Sequence, residues 1–152
     1  MENSLFGNPE LMDDLLKSSH IEESPSQLFI NFINQLEGWK TKCKNLHWAA
    51  PKKNIHEYLD EFLDIISDYQ DGLAEGYMGI LGKMQPNVIK GTSSETLNAL
   101  DFINEVLKGT ISFYDKIPQE TIYKGIASEC ETFIHNINKY KFLFEICDIK
   151  PY

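Results

Sequence analysis

His56 and Asp60 stand four residues apart, and so do Asp71 and Glu75. Imidazole nitrogens and carboxylate oxygens are the mixed ligand set that suits iron, manganese or zinc. On a helix at 100° per residue, Asp60 falls about 40° round from His56, Asp71 about 60° and Glu75 about 100°, so the four share one side. Asp60 and Asp71 are nevertheless eleven residues apart, or about 16 Å along the axis, too far to hold one ion in a single chain. They read as two half-sites. A two-fold partner running antiparallel could set its Asp71 and Glu75 across from His56 and Asp60, with His47 beside Trp48 close by, and the symmetry would make the second site identical. Two plainer readings stand next to this one. Asp64 and Asp68 belong to the same acidic stretch, so the stripe can be a solvated helix face or a set of polar contacts at a subunit interface. His20 reads as a helix-end residue, and His135, four residues after Glu131, as surface or core.

These residues need helices to hold them, and the sequence supplies a series. Asn8 and Pro9 read as a cap and first position for a short helix at about 9–19, with Leu11, Met12, Leu15 and Leu16 on one face. Ser24, Pro25 and Gln27 mark the next start. From there Leu28, Phe29, Phe32, Ile33, Leu36, Trp39, Cys43 and Leu46 keep a helical period over about 25–48. Pro51 breaks the pattern and Asn54 can cap a second long helix, about 54–83, which carries Ile55, Leu59, Phe62, Ile66, Leu73 and Tyr77. Gly72, Gly76, Gly79 and Gly82 fall inside it or at its end; each interior glycine costs about 1 kcal/mol relative to Ala and also permits close approach of a partner helix. Thr92 and Glu95 read as a capping box for a third helix at about 93–116, and Pro118 precedes a fourth at about 119–146. The pattern predicts one all-α domain over 1–152, a four-helix bundle with a short leading helix. The link between the second and third helices fits either a tight hairpin or an extended strap, since eight to ten extended residues reach roughly 30 Å.

Composition narrows the function classes. The chain has 152 residues, 42% hydrophobic and 24% charged, with 23 acidic against 14 basic residues and a formal charge of -9. General binding to nucleic acid needs a concentrated basic surface, and the runs Lys40, Lys42, Lys44 and Lys52, Lys53 are too short to supply one. No apolar run approaches the roughly 18 residues of a membrane span, and the opening residues lack the basic and apolar segments of a signal peptide. Cys43, Cys130 and Cys147 form neither a metal-ligand spacing nor an even disulfide framework, so they are expected to bury as small hydrophobes in a reducing, cytoplasmic setting.

The segment His47, Trp48, then His56, Glu57, Tyr58, Leu59, Asp60, followed by Asp71, Gly72, Leu73, Ala74, Glu75 and later Leu81, Gly82 resembles the signature of the Dps-like branch of the ferritin superfamily, over about residues 36 to 83. Classical ferritins carry Glu-x-x-His pairs instead, and no histidine here has a glutamate three residues before it. The resemblance implies a ferritin-like bundle that assembles as a homo-oligomer, at least a dimer and up to a dodecameric shell. It implies a ferroxidase and iron-storage role, with Fe(II) oxidised by hydrogen peroxide or dioxygen at a site of two iron ions between subunits. Carried over by position, His47, His56, Asp60, Asp71 and Glu75 would be both the metal ligands and the catalytic residues. The loop between His47 and His56 is shorter than is usual in that family, Gly76 replaces an arginine often found after the site glutamate, and Glu2, Glu10, Asp13 and Asp14 stand where a lysine-rich DNA-binding tail would be. Those differences keep a second expectation open: a non-enzymatic structural assembly protein, cellular or viral, that reuses the bundle.

Overall fold

The computed structural model describes residues 23–149 apart from 93, 96 and 97, and without the side chains of 148 and 149. The short helix expected at about 9–19 lies outside the described residues. Four helices make up the fold: α1 (Pro25–Ala49), α2 (Lys53–Leu81), α3 (Ala99–Lys116) and α4 (Lys124–Ile149), the last entered through a single 3₁₀ turn at Thr121–Tyr123. There is no strand among the described residues.

The helix starts follow local chemistry, with three departures from the sequence reading, one of them the start of α4 at Lys124 and not near 119. At α1 the Ser24 hydroxyl accepts the Gln27 N–H at 3.1 Å and Pro25 occupies the first turn, as expected. At α2 the chain enters the helix at Lys53, so Asn54 lies one residue inside it, its side-chain oxygen taking the Ile55 N–H at 2.9 Å. The third helix starts at Ala99 and not near 93. Asn98 caps it, accepting the Asp101 N–H at 2.8 Å, while Thr92 is held in extended chain against α1.

That chain is the strap, and side-chain pairings fix its course. Phe29 and Phe32 of α1 meet Phe113 near the end of α3, whereas Lys42, further along α1, reaches Glu105 near the start of α3. α3 therefore runs antiparallel to α1 and parallel to α2. Glu61 pairs with Tyr140, and Gly76 faces Ile126, so α4 runs antiparallel to α2. The order is up, down, down, up, and the connection 82–98 must travel the length of the bundle. Asn34 receives it: its side-chain oxygen accepts the N–H groups of Lys90 and Gly91 at 2.7 and 3.0 Å, and its amide donates to the carbonyls of Ile30 and Val88 at 3.1 and 3.2 Å. Gly91 has a positive φ of 64° and its backbone lies on Glu37. Gly38 lets the Thr92 carbonyl reach the α1 backbone, at a distance no β-carbon would allow.

The core is mostly aromatic. Phe32 stacks on Phe113 with centroids 4.0 Å apart, and Phe62 packs against Phe102 and Phe133. Each such buried side chain stabilises the fold by roughly 1.5–3 kcal/mol. Between α1 and α2 a polar seam is fully bonded: the Gln70 amide donates to Glu37 at 2.8 Å and to the Ile33 carbonyl at 3.2 Å, and Lys40 donates to both side chains. The Gln70 hydrogen bond, with Lys40 behind it, holds the Glu37 carboxyl below its usual range. All three cysteines are buried and none is in a disulfide, as their spacing suggested. Cys43 donates to the Leu59 carbonyl at 3.2 Å, and burial pushes its thiol up to about 12 and that of Cys130 up to about 11.

Candidate functional site

The tight connection between α1 and α2 brings His47, on the last turn of the first, to His56, on the first turn of the second. The two rings stack with centroids 3.7 Å apart and planes 21° from parallel. Their hydrogen bonds are reciprocal: His47 Nδ1 lies 2.7 Å from the His56 carbonyl oxygen, and His56 Nδ1 lies 2.7 Å from the His47 carbonyl oxygen. A carbonyl can only accept, so each Nδ1 carries a proton and donates. The His47 carbonyl, which the Ala50 N–H reaches only at 3.5 Å, thereby gains a short hydrogen bond from the next helix.

This geometry bears directly on metal binding. With both Nδ1 atoms engaged, only the two Nε2 atoms remain as donors, and a lone pair on an imidazole lies in the ring plane. In rings stacked so nearly parallel those lone pairs lie in separate, nearly parallel planes and do not converge on one ion. His47 Nε2 approaches Asp60 Oδ1 only to 4.0 Å, beyond hydrogen-bond range, and the Asp60 side chain is 65% exposed, so water screens the pair. Asp71 and Glu75 are exposed further along α2. Among the described residues no three His, Cys, Asp or Glu side chains gather so as to hold a metal ion. The expected pair of iron ions is therefore corrected: the residues of the motif are present in order, but their donor atoms do not form a ligand set.

What the histidines do form is a clasp. Two hydrogen bonds contribute about 1 kcal/mol each, and the ring stack adds roughly 0.5–1.5 kcal/mol, discounted because His56 is solvent-exposed. A double-mutant cycle on His47→Ala and His56→Ala, read by urea unfolding, is expected to give a coupling energy of about 1 kcal/mol. Strict additivity would show that the two rings do not act as a unit. Trp48 does not cover the clasp; it is 72% exposed. His135 is exposed on α4, and His20 lies outside the described residues.

The rest of the motif is an acidic face. Glu57, Asp60, Glu61, Asp64, Asp68, Asp71 and Glu75 are all exposed on α2, and no Lys or Arg occurs between Lys53 and Lys83. Two features that the sequence reading passed over lie on another side of the molecule. Lys42, taken as part of a basic run, is buried and bonds both oxygens of Glu105 at 2.7 and 2.6 Å. It lines a cavity of about 650 Å³ between α1 and α3, floored by Phe32 and Trp39. Its position on α1 was the available signal, since Lys42 falls between the core positions Trp39 and Cys43 of the helical period. No helix is long and apolar enough to cross a membrane among the described residues. No family model matches the sequence, and neither the curated proteins nor the solved structures yield a match.

Proposed function

We propose that this chain is a non-enzymatic assembly subunit, a ferritin-like bundle whose work lies in its contacts with other copies of itself. The observation that carries the reading is the clasp: the residues best able to do chemistry use their Nδ1 atoms on each other's backbone, as structural parts of the α1–α2 hairpin. The up-down-down-up path with one long crossover supports it, because that connectivity is the one ferritin-like bundles use. His47 and His56 then set the hairpin angle, and Asp60, Asp71 and Glu75 keep the α2 face hydrated. Two such α2 faces in isologous contact would repel, as like charges opposed across an interface do. The contact falls instead at the end of the bundle that carries Trp48, an indole exposed beside the clasp and of the residue type that most often anchors an interface.

Light scattering and sedimentation over a wide concentration range test this. The expected result is a mass of at least two copies, unchanged by a chelator, with Trp48→Ala weakening association about tenfold, or about 1.4 kcal/mol. A chain that stays monomeric at every concentration would sink the proposal.

A further inference from the structure

Between α2 and α4 lies an open groove of about 360 Å³. Its floor is the Tyr69–Phe133 pair, stacked with centroids 4.2 Å apart, with Ile65 alongside; Asp68 and Gly72 of α2 and Glu129 of α4 form its walls. Two of its features have no cause in the chain's own packing. Gly72 sits inside a helix, where it costs about 1 kcal/mol relative to Ala, yet a β-carbon there would meet nothing within 4 Å. Asp68 and Glu129 are both exposed, and neither forms an ion pair among the described residues.

We propose that this groove docks a Lys- or Arg-bearing segment of a protein partner. The long side chain lies over the Tyr69–Phe133 pair, and its charge sits between Asp68 and Glu129. The chemistry matches part by part. A Lys or Arg stem covers apolar surface while its head keeps to polar surroundings, and the two carboxylates supply the opposite charge. Gly72 leaves the entrance open, so that the backbone of the incoming segment can approach α2. Charge selects the occupant: α2 presents seven carboxylates and no Lys or Arg between Lys53 and Lys83, which steers a basic segment inward. The same charge turns away the α2 face of a second copy. Lys139, which lies 5.5 Å above the Tyr140 ring, is ten residues from Glu129 along α4, or about 15 Å, and the groove lining itself holds no base.

The test uses the full chain and a fluorescein-labelled octa-arginine peptide, followed by anisotropy at moderate salt and by amide chemical shifts. Shifts are expected to concentrate at 65–72 and 129–136. A β-carbon at Gly72 meets nothing within 4 Å, so Gly72→Leu should obstruct the groove and weaken binding about tenfold while its unfolding temperature is no lower than that of the parent. Asp68→Asn with Glu129→Gln should weaken it as well. Shifts spread evenly along α2, with Gly72→Leu binding as the parent does, would reduce the effect to general attraction and overturn the proposal. Absence of binding would overturn it too, as would concentration-dependent self-association mapped to the groove. Because Trp48 lies elsewhere, Trp48→Ala should leave peptide binding unchanged, which separates this proposal from the assembly reading.

Discussion

Gly38→Ala is expected to destabilise the protein by about 2–3 kcal/mol, while Gly79→Ala stabilises it by about 1 kcal/mol. Both residues are helical glycines, and intrinsic propensity alone favours the alanine at each by about 1 kcal/mol. Position reverses the sign at Gly38. A β-carbon there would collide with the carbonyl of Thr92, a backbone group that cannot swing aside as a side-chain end can. Moving the strap outward would also stretch the Asn34 bonds to Lys90 and Gly91, since both contacts hold one short length of chain. Overpacking costs typically 1–3 kcal/mol, and here lost hydrogen bonds add to it. At Gly79 nothing lies within 4 Å of the added carbon, so the propensity gain survives. Against a total stability of 5–15 kcal/mol, the two shifts are measurable by urea unfolding, and equal shifts of the same sign would show that the strap does not rest on α1 as described.

The strap also shows where sequence reasoning stopped. The apolar periods located all four long helices, because a bundle core is written in a 3.6-residue repeat that survives without tertiary information. Which way the third helix runs is not written there. A hairpin and a strap both satisfied the length of the link, and the choice rests on Asn34, Gly38 and Gly91, three residues whose meaning depends on a contact more than fifty residues away in sequence. The Thr92–Glu95 pair looked like a helix start by local chemistry alone, yet long-range packing of Thr92 on Gly38 overrides it.

The candidate site was legible in residue type and spacing and misread in geometry. One-turn spacing put His56 and Asp60 on one side of the helix, and the structure brings His47 within 4.0 Å of Asp60. What spacing could not reveal is which ring atom each histidine commits to the backbone. That depends on the short connection, which brings the two helix ends close enough for each Nδ1 to reach the opposite carbonyl. The acidic stripe, by contrast, was readable as a solvated face from the start, since its members avoid the core positions Leu59, Phe62, Ile66 and Leu73.

Glu105→Ala should cost about 2–3 kcal/mol, and a second substitution, Lys42→Met, should restore most of it. The Lys42 side chain is 6% exposed, whereas that of Glu105 is 40% exposed. Removing the glutamate therefore leaves an ammonium group inside the protein without its counter-charge, and breaking a buried pair in this way costs about 3–5 kcal/mol. The lower figure applies because the cavity beside Lys42 opens to solvent and water can replace part of what Glu105 gave. Met keeps the length of the lysine stem and has no charge to strand, so the double variant loses only the net value of the pair, which for buried ion pairs is near zero. Chemical unfolding of the parent, both single variants and the double variant measures the difference. If Glu105→Ala and Lys42→Met each cost the same and their effects add, the ammonium of Lys42 is solvated in the folded protein and the pair is an ordinary surface contact.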